Sequence, residues 1–144
     1  MRNEPLSVSL TPRQQREREY YNRYSQRKKD ARVNLAPIAG KEQRPWNPYW
    51  HLFGLVKKRY RPGARLLDFG CGWGDNSLIF AHIGYQVDGF DISEGNLELA
   101  RQLSDKEGLT EQVHFSLQRA ERLKYPDAHF DVVAGVDILH HEGK

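Results

Sequence analysis

The sequence is poor in the features that mark several large classes of protein. It has one cysteine, Cys71, in 144 residues. An intramolecular disulfide is therefore excluded, and no cysteine–histidine cluster has the spacing of a zinc site, so no metal is expected. No apolar run approaches the ~20 residues needed to span a bilayer. Residues 1–30 lack the apolar core of a secretory signal, so a reduced, cytoplasmic setting is the expectation. Charge of one sign is also scarce overall, at a formal +3, but it is unevenly spread. Residues 1–45 carry 11 Lys/Arg against 5 Asp/Glu, whereas residues 46–144 carry 11 against 14. The chain thus divides into a basic N-terminal arm (1–45) and a slightly acidic region (46–144) long enough for one core.

What is present centres on Leu66-Leu67-Asp68-Phe69-Gly70-Cys71-Gly72-Trp73-Gly74-Asp75. This is a short apolar strand, a glycine-dense turn and the start of a helix over Asn76–His82. Glycines at 70, 72 and 74 permit positive φ and let a ligand lie against bare main chain. The helix points its free N–H groups back at that ligand. Asp68 stands at the mouth of the strand. A carboxylate there repels a pyrophosphate but suits a ligand bearing an ammonium or sulfonium group. Asp75 occupies the place of the third glycine in a dinucleotide fingerprint. Asp91 ends the next apolar run, 23 residues after Asp68, the interval of a strand–helix–strand unit. A carboxylate at that strand tip can accept both hydroxyls of a ribose; the plainer alternative is a helix cap.

Along the chain, residues 1–12 offer nothing to bury. Thr11 and Pro12 are a helix start, with a helix over Arg13–Asp30 whose Tyr20, Tyr21 and Tyr24 share a face. The arm is either a solvated helix docked by its tyrosines, a lid over a ligand, or a nucleic-acid contact through Arg23, Arg27, Lys28, Lys29 and Arg32. Ala36–Pro48 is a linker. Pro48–Tyr60 is helical, with Trp50, Phe53, Leu55 and Val56 as its apolar stripe, and Trp46 and Trp50 as core or docking residues. Strands are expected at Arg65–Phe69, Gln86–Phe90, Gln112–Leu117 and Phe130–Val136. The last is apolar enough for burial on both faces. Ser93 caps a helix over Glu94–Lys106, and Gln118–Asp127 is a loop. This order predicts an α/β fold: a Rossmann-like, doubly wound parallel sheet of about four strands with an N-terminal helical arm. Ligands on such sheets bind at the carboxyl ends of the strands, where Asp68–Gly74, Asp91 and Asp137 converge.

The motif at Leu66–Gly74, with Val87–Ser93 and with Phe130–Val133 through Leu139–His141, resembles the class I S-adenosylmethionine-dependent methyltransferases, especially those acting on small molecules and lipids. The resemblance covers residues 46–141. It implies S-adenosylmethionine as cofactor, S-adenosylhomocysteine as product, and a small-molecule acceptor. The cofactor-binding residues it implies are Asp68, Gly70, Cys71, Gly72, Gly74, Asp91, Ile92, Ala120, Glu121 and Asp137. For Asp68 the alternative is a purely structural role, and for Ile92 an ordinary core position. Cys71 acts through its backbone, since no base stands beside it to form a thiolate. Arg119 takes the place of an aspartate that in relatives meets the adenine amino group, and an arginine accepts no hydrogen bond. His140 and His141 follow the fourth strand, either as a base for an acceptor hydroxyl or as a structural pair. The fourth-strand tip lacks the Asn/Asp-Pro-Pro-aromatic signature of many amino-group and base methyltransferases, which favours an oxygen or carbon acceptor.

The family's sheet continues beyond the fourth strand, whereas Lys144 follows it closely. The expectation is a truncated or excised cofactor-binding half, catalytically incomplete, whose fourth strand is an edge to be covered by a partner chain or a second copy. The competing readings are a non-catalytic cofactor-binding scaffold and, less well matched because of Asp68 and Asp75, a nicotinamide-dependent oxidoreductase.

Overall fold

Alternating strands and helices from Arg65 onward form one parallel sheet. The computed structural model describes residues 10–40, 44 and 46–138. The expectations for residues 1–9, for part of the 36–48 linker and for His140 and His141 lie outside the described residues. The elements are α1 (Pro12–Gln26), α2 (Pro48–Arg59), β1 (Arg65–Phe69), α3 (Asp75–Ile83), β2 (Gln86–Asp91), α4 (Glu94–Lys106), β3 (Val113–Leu117) and β4 (Val132–Ala134). A short 3₁₀ turn at Ala36–Ile38 packs on α2.

The sheet order is β3-β2-β1-β4. Leu66 of β1 lies opposite Val87 on one side and Val132 on the other. The chain therefore runs outward from β1 through β2 to β3, then returns to the far side of β1. That reversal leaves a crevice at the carboxyl ends of β1 and β4, the place where such sheets bind ligands. The core fills both sides of β1 and β2 with Leu66, Val87, Leu78, Phe80 and Tyr85, all essentially inaccessible.

Local signals set the helix starts. Thr11 and Gln14 form a reciprocal capping box, with Pro12 in the first turn. The Asn47 side chain accepts from the Tyr49 and Trp50 amides. The Ser93 hydroxyl accepts from the Asn96 amide at 3.1 Å. The cap of α4 is thus Ser93 and not Asp91, whose carboxylate has other partners.

Five expectations are corrected. Leu10 is buried rather than idle. Helix α1 stops at Gln26, because the Arg27 and Lys28 amides turn back to the Tyr24 and Ser25 carbonyls in tight three-residue steps. Leu55 is 47% exposed; it lies about 200° around the helix from Phe53 and cannot share its face. Trp46 is 78% exposed, since it precedes the Asn47 cap and never joins the packed face of α2. Strand β4 is three residues long, and Val133 is 61% exposed. Among the described residues β4 is paired on one side only, and Phe130 leaves the strand to pack edge-on against Tyr125 and His129.

The fully buried Tyr85 hydroxyl donates to the Val56 carbonyl at 2.8 Å. That carbonyl sits in the last turn of α2, where the Tyr60 amide bonds to Lys57 instead. Tyr85→Phe leaves a buried acceptor without its donor. It should lower the unfolding free energy in urea by about 1–3 kcal/mol with an unchanged slope.

Candidate functional site

A cavity of about 650 Å³ occupies the crevice at the strand tips. Its floor is the turn after β1. Gly70, Gly72 and Gly74 all have positive φ. The Cys71 amide donates to the Phe90 carbonyl at 2.8 Å, tying the turn to β2. At Gly70 a side chain is barred twice over, because a Cβ would lie 2.3 Å from the Ile138 Cγ1. The loop after β4 therefore seals the turn from the other side.

Two carboxylates lie beneath this floor. Asp68, 2% exposed, accepts from the Ser77 hydroxyl of α3 at 2.5 Å. Burial raises its pKa to about 7; the Ser77 bond offsets part of that, while Asp75 and Asp91 add to it by repulsion. Asp91 accepts from two amides, Gly72 to Oδ2 at 3.0 Å and Ser93 to Oδ1 at 2.8 Å. Burial raises its pKa too, against the pull of those two bonds and of further ones from the Asn96 side chain and the Ile92 amide. Asp75, in the first turn of α3, is likewise raised by burial. The Cys71 thiol is pushed well up by burial and by Asp91 and Asp68. It is no thiolate nucleophile at neutral pH.

The roof is α1. Its tyrosines face the cavity, with Tyr20 and Tyr24 stacked at 6.3 Å and Tyr21 edge-on to both. The arm is tied to the domain by Asn22, which accepts from the Ser93 hydroxyl and the Gly95 amide, and by Gln14, which donates to Glu121 at 2.7 Å. Lys28 lies over the rings of Tyr24 and Trp73.

At the far end stands Asp137, with φ +53°, holding a 2.5 Å hydrogen bond donated by the Tyr49 hydroxyl. That bond raises the Tyr49 pKa.

Of the residues singled out in the sequence, Asp68, Gly70, Cys71, Gly72, Asp91, Ile92, Ala120, Glu121 and Asp137 line this one cavity. Gly74 does not: it begins α3 in the left-handed region and its face abuts Ala100 and Phe115. Arg119 is outside the lining, and its guanidinium lies 3.4 Å from Glu121. Sequence reading missed Ser77, Asn96, Glu17 and Tyr49. Ser77 had a signal, three residues into a helix that begins below Asp68. Asn96 lines the cavity with its Oδ1 buried and without a hydrogen-bond partner. Among the described residues no group of three His, Cys, Asp or Glu is arranged to hold a metal, and no helix is long and apolar enough to cross a membrane.

Sheet order, glycine turn and paired strand-tip acids together define a Rossmann-like α/β domain with a nucleoside-type site. Comparison with known proteins narrows the class. The methyltransferase domain family matches residues 66–144, more than half of the chain, and the chain belongs to that family. It is 42% identical over 82 residues to the 27-O-demethylrifamycin SV methyltransferase of Amycolatopsis mediterranei, covering 56% of this chain and 30% of that protein. It is 39% identical over 87 residues to a ubiquinone biosynthesis O-methyltransferase of Ruegeria pomeroyi, covering 60% and 34%. The chain thus spans about a third of the length of these curated relatives. Among solved structures, an S-adenosylmethionine-dependent methyltransferase of Thiobacillus denitrificans in complex with S-adenosylhomocysteine is 27% identical, with a TM-score of 0.55 over 77% of this chain and 45% of that one.

The Asp68 pKa predicts a pH effect on stability. In the unfolded chain its pKa is near the ordinary 3.8; in the folded chain it is about 7. The folded state therefore holds the proton more tightly. Its contribution is fully present below about pH 4 and is lost as pH rises through 7. Asp75 and Asp91, both raised, act in the same direction. Asp68→Asn, which keeps an acceptor for Ser77, should flatten the fall in thermal midpoint between pH 4 and 7.

Proposed function

We propose that this chain is the S-adenosylmethionine-binding part of a methyltransferase acting on a hydroxyl of a small molecule. The observation that carries the reading is the sign of the cavity wall. Six acidic side chains line it, Glu17, Asp68, Asp75, Asp91, Glu121 and Asp137, against one basic side chain, Arg13. Such a wall favours a ligand with ammonium and sulfonium charges and disfavours the pyrophosphate of a nicotinamide cofactor.

In this reading Asp91, already oriented by the Gly72 and Ser93 amides, is the carboxylate that receives the ribose hydroxyls. Ile92 and Ala120 flank the adenine, and Glu121 bounds the adenine end. Gly70, Cys71 and Gly72 present bare backbone to the methionine part, with Asp68 and Asp75 behind it. Gly74 serves the site through the turn and the start of α3 rather than by contact. The tyrosine face of α1 covers the ligand as a lid. Bound cofactor supplies a methyl group already activated by its sulfonium. The chain's own share is then alignment and exclusion of water, so a base is not essential. The acceptor approaches from the Asp137 end. His140 and His141, next along the chain, are the residues we assign to accept a hydroxyl proton. An oxygen acceptor is supported by the O-methyltransferases among the relatives, and carbon is the second choice. We place the protein in a reducing, cytoplasmic setting, in keeping with its single buried thiol.

Calorimetric titration of the chain with S-adenosylhomocysteine should show binding, and Asp91→Ala should weaken it by roughly 1.5–3 kcal/mol. Affinity should also rise between pH 6 and 7.5 with release of a proton, because a cationic ligand favours the ionised form of Asp68, whose pKa is about 7 without it. A folded chain that binds the nicotinamide cofactor instead, or neither ligand, would overturn the reading.

A further inference from the structure

Helix α1 and helix α4 meet through an amide that no packing rule requires. Asn22 Oδ1 accepts two hydrogen bonds, from the Ser93 hydroxyl at 2.7 Å and from the Gly95 amide at 2.9 Å. Ser93 is the cap of α4 and Gly95 lies in its first turn, where backbone N–H groups lack helical partners. The Ser93 hydroxyl already caps α4 by accepting from the Asn96 amide, so its proton is free to be given to Asn22. The amide of the same Ser93 holds Asp91 Oδ1 at 2.8 Å. The approach is close. A Cβ on Gly95 would lie 2.6 Å from the Ser25 hydroxyl and 3.0 Å from the Asn22 Cα. Gly95 is thus the position that lets the arm reach the start of α4.

We infer that Asn22 is a positioning residue for the strand-tip carboxylate: the arm orients Asp91 through Ser93, so that closing the roof and shaping the ribose end of the site are one event. The inference rests on the cofactor reading above. The chain of bonds runs from the Asn22 side-chain oxygen to the Ser93 hydroxyl, and from the Ser93 amide to Asp91. Loss of Asn22 leaves Ser93 with its cap but without the acceptor that fixes its rotamer. The turn from Asp91 to Glu94 then loses its outer anchor. Asn96 belongs to the same turn, lines the cavity and hydrogen-bonds Asp91 through its side chain, so the disturbance reaches a second polar residue of the wall.

Three variants of the full chain test this. Asn22→Ala removes the acceptor. Asn22→Asp keeps an acceptor oxygen and places a carboxylate at the positive end of α4, which favours it. Gly95→Ala pushes the arm away from the other side, while alanine strengthens the helix itself. Titration with S-adenosylhomocysteine should show binding weakened about tenfold in Asn22→Ala and Gly95→Ala, the scale of one or two lost hydrogen bonds. Asn22→Asp should bind within about twofold of the unaltered chain. Amide exchange at Ser93 and Gly95 reads the same linkage without ligand: faster in Asn22→Ala, restored in Asn22→Asp. Equal binding by Asn22→Ala and the unaltered chain, or no rescue by Asn22→Asp, would overturn the inference. An unaltered chain that fails to bind would defeat the cofactor reading instead, and the exchange rates would still decide the role of Asn22.

Discussion

One buried carboxylate holds the site in shape. Asp91 ends β2, and each of its oxygens takes an amide from a different segment, Gly72 in the turn after β1 and Ser93 at the start of α4. Three pieces of chain meet on that side chain. Burial makes its charge costly, and the two amides lower that cost without removing it. The glycine turn can hold its positive-φ conformation because the Gly72 amide is spoken for and because the Cys71 amide is fixed by Phe90. Helix α4 can begin where it does because Ser93 serves Asp91 with its amide and Asn96 with its hydroxyl.

The same constraint explains how a slightly acidic region makes a strongly acidic cavity. Asp68, Asp75 and Asp91 are drawn to one turn by the sheet order; burial raises the pKa of all three, and Asp75 and Asp91 raise that of Asp68 further by repulsion. The arm contributes its tyrosine rings and only one basic group, Arg13, to the cavity wall. Lys28 lies over Tyr24 and Trp73 at the edge of the cavity, where its charge partly offsets the raised pKa of Asp75. An arm that is basic in composition therefore roofs an acidic cavity with aromatic surface.

Much of this was legible in the sequence because it is local. Asp68, the glycines and Asp91 sit in one strand–turn–helix–strand unit, and the period of the apolar residues gives that unit away. Thr11, Pro12 and Ser93 announce helix starts by short-range hydrogen bonding. The arm's docking was not legible. Asn22 meets Ser93 and Gln14 meets Glu121 across long stretches of chain, and nothing in a polar helix tells which amide will find a distant partner. The tyrosines stand out in the sequence as a docking face or a lid, and they line the cavity, while small polar groups add bonds to the domain that the sequence does not announce. The outward faces of Leu55 and Val133 were misread for a related reason: apolar composition does not say which neighbour will arrive to cover a surface.

The sheet order also fixes a timetable. Arg65 pairs with Gln86, close behind it in the chain, whereas Leu66 pairs with Val132 only after two helices and two strands have intervened. The loop that must close for the second pairing is several times longer, and long loops close late. As the polypeptide leaves the ribosome, the turn, its two acids and the α4 cap are all present before β4 exists. For that interval one flank of the central strand stands open, and Ile138, which later seals Gly70, has not yet been made. The nascent chain is then an unpaired strand edge in search of a mate, the state in which a chaperone has most to offer.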